Sequence, residues 1–221
     1  MIVISTNNGV KYLTEHLNNY VRMNINMPIS IIDTISSDTD AIDLLERIRD
    51  KQEFASLDIS TYQTPYRGFD SGAIMWAMKN IDADKYYFLQ DSIVIKDIDF
   101  FNQIDEKLRD NVVVPILKFH GMYWDNEEQV KWSIEKTGSY DADFGIFGPM
   151  FSILKTTSNR LVMDLDFYPE TKNNQKAMER VWGVLFKRHG INIDSLCGDF
   201  NHQLLINDGY SLFKKYFPER E

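Results

Sequence analysis

Asp91 stands apart from the other acidic residues by its setting. The run Tyr86-Tyr87-Phe88-Leu89 reads as a buried strand and Ile93-Val94-Ile95 as a second one, with Gln90-Asp91-Ser92 between them. A carboxylate at that junction is held on the rim of a sheet at fixed depth and orientation. A hard divalent cation with oxygen ligands, bridging two phosphates, needs such a group, and such an ion offsets the charge of a departing diphosphate. The structural alternative for Asp91 is a cap or turn carboxylate. Asp-X-Asp triplets also occur at Asp38/Asp40, Asp82/Asp84, Asp97/Asp99, Asp141/Asp143 and Asp164/Asp166. The triplet therefore carries little by itself, and Asp91 is the one acid that directly follows a strong strand.

Other polar groups fall at the ends of apolar runs. Ser5-Thr6-Asn7-Asn8-Gly9 follows the first run, and Asp33 ends the second. Thr6 and Asn7 suit a nucleotide base or ribose, and they equally suit an ordinary turn. Asp33 can accept hydrogen bonds from a base or ribose, or cap its own turn. In Arg67-Gly68-Phe69-Asp70-Ser71-Gly72-Ala73, Arg67 can pair with a phosphate beside the amides of a helix start. Asp70 can meet a sugar hydroxyl, and the plain alternative is an N-cap beside a surface arginine.

These positions presuppose an α/β framework. Ile2 to Ser5, Ile29 to Ile32 and Ile59 to Tyr62 read as strands. Helical spacing links Val10, Leu13, Leu17, Tyr20 and Val21, then Ile42, Leu45 and Ile48 after a cap at Asp38 or Thr39, then Ile74, Met75, Met78 and Ile81 after a cap at Asp70 or Ser71. Phe101, Ile104 and Leu108 give a further helix face. Val112 to Leu117 is a strand with Pro115 at its end or on an unpaired edge. His120 to Ser139 reads as a long loop or lid. A helix over 174–189 has Met178, Val181, Trp182 and Leu185 inside, and Gly190 stops it. Strand–helix alternation predicts a mostly parallel twisted sheet flanked by helices. In such a sheet, ligands bind beyond the carboxyl ends of the strands.

Composition narrows the field. The chain of 221 residues has 43% hydrophobic, 26% charged and 13% aromatic residues and a net charge of −9. That balance is globular and disfavours non-specific binding of nucleic acid. Cys197, the single cysteine, leaves no intrachain disulfide. No signal-peptide pattern opens the chain and no apolar run is long enough for a transmembrane span, so the expectation is a cytoplasmic protein. No Gly-X-Gly-X-X-Gly follows the first strand, and neither a phosphate loop nor a Gly-X-Ser-X-Gly elbow is present.

Strand, Asp91, short strand and Lys96-Asp97 together resemble the GT-A type of nucleotide-sugar glycosyltransferase, family 2-like with a variant motif. Asp91 falls on the second acid of the family's Asp-X-Asp, and Leu89 replaces the first. The resemblance implies one GT-A-like domain over residues 1–221. It implies hexosyl or deoxyhexosyl transfer from a nucleotide sugar to a glycan or other hydroxyl acceptor. Thr6, Asn7, Asp33, Arg67, Asp70 and Asp91 would hold the donor. Mn²⁺ or Mg²⁺ would sit on Asp91 with the late His202, whose alternative is a solvated or capping histidine. Asp143 to Met150 is similar to the family's segment near the donor sugar and acceptor, which points to Gly148, and His120 and Trp124 would meet the acceptor. Glu179 is the candidate base for an inverting reaction, its alternative being a surface ion pair. His16 and His189 read as helix-surface residues. Two rivals remain: a sugar nucleotidyltransferase, whose glycine-rich basic first loop is missing, and a nucleotide- or glycan-binding module without catalysis.

Overall fold

The computed structural model describes residues 1–120, 126–141 and 144–217, with His202 and Ile206 described by their backbone only. The strands and helices alternate as β1 (Ile2–Thr6), α1 (Val10–Arg22), β2 (Ile29–Asp33), α2 (Thr39–Arg49), β3 (Ile59–Gln63), α3 (Phe69–Asn80) and β4 (Lys85–Gln90). Then follow β5 (Ile93–Ile95), α4 (Asp99–Lys107), β6 (Val112–Pro115), β7 (Lys118–His120), α5 (Glu127–Thr137), β8 (Phe144–Ile146) and β9 (Phe151–Leu154). The chain continues through α6 (Lys155–Val162), α7 (Lys172–Arg188), β10 (Asn192–Ile193), α8 (His202–Ile206) and β11 (Phe213–Lys215).

Seven strands form the main sheet in the order β10-β6-β9-β4-β1-β2-β3. The pairs β4–β1, β1–β2, β2–β3 and β6–β10 are parallel, whereas β9 runs antiparallel to both β4 and β6. The expected mostly parallel twisted sheet flanked by helices is therefore observed. The buried strands are near-continuous apolar runs, because helices cover both faces. One face packs Ile2, Ile4, Ile31, Tyr87 and Leu89 against Leu13, Leu17 and Tyr20 of α1. The other packs Val3, Phe88 and Phe151 against α3 and α7, with Trp182 and Phe186 at its centre. A two-stranded ribbon of β5 and β11 lies beside the sheet, and β7 pairs with β8. Among the described residues no helix is long and apolar enough to cross a membrane.

Several sequence expectations need correction. The stretch read as a long loop contains α5, which starts in a reciprocal capping box between Asn126 and Gln129 and stops at Gly138, φ 72°. Its buried face is Gln129, Ser133 and Thr137, while Ile134 is exposed, so apolar periodicity is silent there. In α2 the buried face is Ala41, Leu44 and Ile48, and Ile42 is exposed. His16 is buried, its Nε2 2.8 Å from the Tyr20 hydroxyl, because α1 is covered by the sheet and by β5 where a surface was expected. His189 ends α7 with Nε2 3.0 Å from Asp164. The last turn of α7 meets Gly190 at φ 60°, as its sequence predicts.

Candidate functional site

The carboxyl ends of β1 and β4 lie side by side, with Ser5 in register with Gln90. The Asp91 amide donates to the Ser5 carbonyl at 3.0 Å, which continues the sheet one step and fixes the acid against the first loop. Thr6 Oγ1 then donates to Asp91 Oδ2 at 2.7 Å. A Cβ at position 9 would overlap the Asp91 carboxylate, so any side chain there would displace that group from its present position. Removal from water pushes the Asp91 carboxyl up to about 7, and Asp70 nearby acts in the same direction. The Thr6 hydroxyl, Lys215 and the Ser92 amide pull the other way.

A second chain of bonds crosses the same rim. Ser5 Oγ donates to Asp70 Oδ1 at 2.6 Å, and Gln90 Nε2 donates to Asp70 Oδ2 at 2.6 Å. Gln90 Oε1 accepts from Lys215 Nζ, which also donates to Ser92 Oγ at 2.5 Å. Lys215 arrives because β11 pairs antiparallel with β5, placing Lys215 opposite Ile93. Loss of hydration brings its ammonium down to about 8, against the upward pull of Asp70 and Asp91. Asp70 was expected either to cap α3 or to bind a sugar. The helix starts on Gly68 with no side-chain cap, and the Asp70 carboxylate reaches across to β1 and β4 instead.

Opposite this rim, Glu179 Oε1 accepts the Gly148 amide at 3.0 Å. Gly148 has φ 58°, and a Cβ there would lie 3.3 Å from Gln90 Oε1. The turn is therefore tight against Gln90, and a left-handed backbone favours glycine at it. Behind it, Arg180 is buried, with its guanidinium 4.8 Å from the centre of the Phe119 ring. Arg67 and Lys172 flank Phe69, at 5.3 and 5.7 Å from its ring centre. Phe69 itself takes φ 52°, an unusual backbone for a bulky residue at a helix start.

The loops after β1 and β2 are tied together. Asn7 Nδ2 donates to the Thr34 and Ile35 carbonyls at 2.8 and 3.1 Å. The Asp33 carboxylate is buried and accepts from the Ser36 amide and hydroxyl and from Gln63 Nε2. Both residues thus shape this loop pair, and Asp33 also lines a groove of about 240 Å³ with Leu45, Arg49 and Tyr62.

Of the residues singled out in the sequence, Thr6, Asp70, Asp91, Gly148 and Glu179 are joined through Ser5, Gln90 and Lys215. His120 is not joined to them by any of these contacts; it is largely exposed, with Nε2 3.2 Å from Asp199. Trp124 and Asp143 lie outside the described residues, as does the side chain of His202. Lys215, Gln90 and Gly9 were missed. A neutral amide and a glycine carry no chemical signature, and the pairing of β11 with β5 is what brings Lys215 into the cleft.

The described residues do not fit a divalent cation. Leu89 stands where a first acid would be and is buried, one Asp91 oxygen already holds Thr6, and Lys215 occupies the same cleft with its positive charge. Among the described residues no group of three or more histidines, cysteines or acids is placed to hold a metal ion.

No protein-family model matches the chain, and no curated protein matches it. Solved structures do. The mannosyltransferase PcManGT from Pyrobaculum calidifontis, in complex with GDP-Man and Mn²⁺, matches at TM-score 0.58 and 12% identity over 88% of this chain and 53% of its own. The glycosyltransferase GlyE of Streptococcus pneumoniae TIGR4 matches at 0.57 and 13% identity over 99% of this chain and 55% of its own. The galactosyltransferase LgtC, with donor and acceptor sugar analogues, matches at 0.54 and 14% identity over 88% and 72%. The chain spans about half the length of the first two. At these identities the likeness is one of fold, and the fold is that of the GT-A-like glycosyltransferases.

Proposed function

We propose that this chain is a glycosyltransferase that moves a sugar from a nucleotide-sugar donor to a hydroxyl acceptor. The observation that carries the reading is the bonded network of Ser5, Thr6, Asp70, Gln90, Asp91 and Lys215 at the carboxyl ends of two adjacent parallel strands in a GT-A-like fold. Ligands bind at such strand ends in open α/β sheets. In this reading the nucleoside lies over the loops that Asn7 and Asp33 organise, and the diphosphate lies near Asp91. Arg67 and Lys172 add positive charge at the rim, and Asp70 accepts from a donor sugar hydroxyl.

The transfer breaks the bond between the sugar anomeric carbon and the diphosphate oxygen and forms one to the acceptor oxygen. Glu179 would take the acceptor proton in an inverting reaction, with Gly148 holding the carboxylate in place through its amide. His120 and Trp124 are proposed acceptor contacts. The fold relative PcManGT was solved with Mn²⁺. A metal-bound arrangement, with Mn²⁺ or Mg²⁺ on Asp91 and His202, is the rival to a metal-free site in this chain, and the poor fit of the described residues weighs against it.

A thermal-shift panel of nucleoside diphosphates and nucleotide sugars, followed by an assay for released nucleoside diphosphate, tests the reading. One nucleotide family should stabilise the protein, since a ligand that binds only the native state raises its stability, and Asp91→Asn should lose that shift. Unchanged binding in Asp91→Asn would remove Asp91 from the site. Leu89 in place of the first acid favours a second reading, a module that binds a nucleotide sugar without turnover. Binding with no diphosphate release, across glycan acceptors, would support it.

A further inference from the structure

The cleft has an unusual charge balance. Asp70, Asp91 and Glu179 all act electrostatically on Lys215, so the site is lined with carboxylates before any ligand enters. A diphosphate adds further negative charge, and a cation must lie within reach of it. Lys215 meets that requirement from within the chain. An ammonium carries three donors; Gln90 Oε1 and Ser92 Oγ take two of them, both neutral oxygens. Among the described residues no ion pair consumes the third.

The lysine is also held in place. Phe213, on the same side of β11, is buried and stacks with Tyr210 at 4.9 Å between ring centres. Tyr216, on the other side, stacks on Tyr12 at 5.2 Å and donates its hydroxyl to Glu15 at 2.7 Å. The Tyr216 amide donates to the Ser92 carbonyl at 2.8 Å, which ties the residue next to Lys215 to the segment that follows Asp91. Such anchoring on both faces is what a fixed charge needs in order to act without reorganising.

We propose that Lys215 is a donor-binding residue whose ammonium meets the diphosphate in the place of a divalent metal, so that donor binding by this chain is metal-independent. The proposal rests on the glycosyltransferase reading above. Bond breaking at the sugar then leaves both electrons on the diphosphate oxygen, and the Lys215 ammonium faces the charge that develops there.

The test is titration of the full chain with UDP, GDP, dTDP and ADP, and with the parent nucleosides, in EDTA and again in Mn²⁺. The diphosphate that binds should do so equally in both conditions, within about threefold. Lys215→Met should weaken it by roughly 30-fold or more while leaving the nucleoside unaffected, as expected when one charged contact to phosphate is lost. Lys215→Arg should restore part of the loss, and His202→Ala should bind as the wild type does. Diphosphate binding confined to Mn²⁺, or lost in His202→Ala and kept in Lys215→Met, overturns this inference and leaves the glycosyltransferase reading standing. Binding of no diphosphate in either condition overturns both. If Lys215→Met fails to fold, diphosphate binding confined to Mn²⁺ in the wild type still overturns the inference, and Lys215→Gln takes the place of the Met variant.

Discussion

Two regions of the molecule hold polar groups away from water, and they behave oppositely. In the α1 core, the His16 and Tyr20 side chains bond to each other among apolar neighbours. Burial alone drives the imidazole down to about 3. At the strand ends, Asp91 and Lys215 are displaced by the same loss of water, yet each also feels the other and Asp70. Perturbed titration by itself therefore does not mark a site here. What separates the regions is whether charges of both signs converge where the sheet opens.

Four substitutions press on that contrast, from the largest effect to the smallest. Gly9→Val drives a side chain into the Asp91 carboxylate. It should abolish nucleotide binding and cost about 1–3 kcal/mol in urea unfolding, as overpacking does. Asp91→Asn keeps the shape and removes the charge, and turnover should fall about 100-fold, or ~2.7 kcal/mol. It also changes the pH profile of stability. The folded Asp91 carboxyl holds its proton up to about 7 and the unfolded one releases it near 3.8. Stability from this group is thus full below pH 4 and lost as the pH rises to 7. In Asp91→Asn that fall should vanish from melting curves taken across the window.

His16→Phe should act on the same window with the opposite sign. The folded imidazole resists protonation down to about 3 and the unfolded one protonates near 6.5. Its contribution is full above pH 6.5 and lost on acidification. His16→Phe should therefore flatten the acid limb by up to a few kcal/mol and leave nucleotide binding untouched. Weakened binding in that variant would collapse the contrast between the two regions. Tyr20→Phe, which removes one buried bond to His16, should cost about 1 kcal/mol with no effect on activity.

The sequence made the parallel half of the sheet legible because β1, β2 and β4 are apolar runs bounded by polar ends. Asp91 was legible for the same reason, since the strand before it and the strand after it leave it no other place than the rim. Glu179 and Gly148 were separately visible, but their bond was not, because it depends on how α7 lies against the turn before β9. Features without a period or a charge escaped. β9 is four residues long, and α5 turns a polar face inward. His16 looked like a surface residue because its solvent screen comes from β5, far along the chain. Lys215 depends on the pairing of β11, a contact that no local pattern encodes.

The antiparallel β9 has one more consequence, for how the sheet is made. Among the described residues it is the strand that joins β6 and β10 to the parallel set of β3, β2, β1 and β4. During synthesis β4 emerges well before its partner, with the edge of Tyr86, Tyr87 and Phe88 bare while everything from α4 to β8 is still being added. A bare apolar edge invites pairing with another chain. The four residues of β9 thus act as a late closing seam, and until they arrive the β4 edge of a nascent chain has no partner from its own sequence on that side.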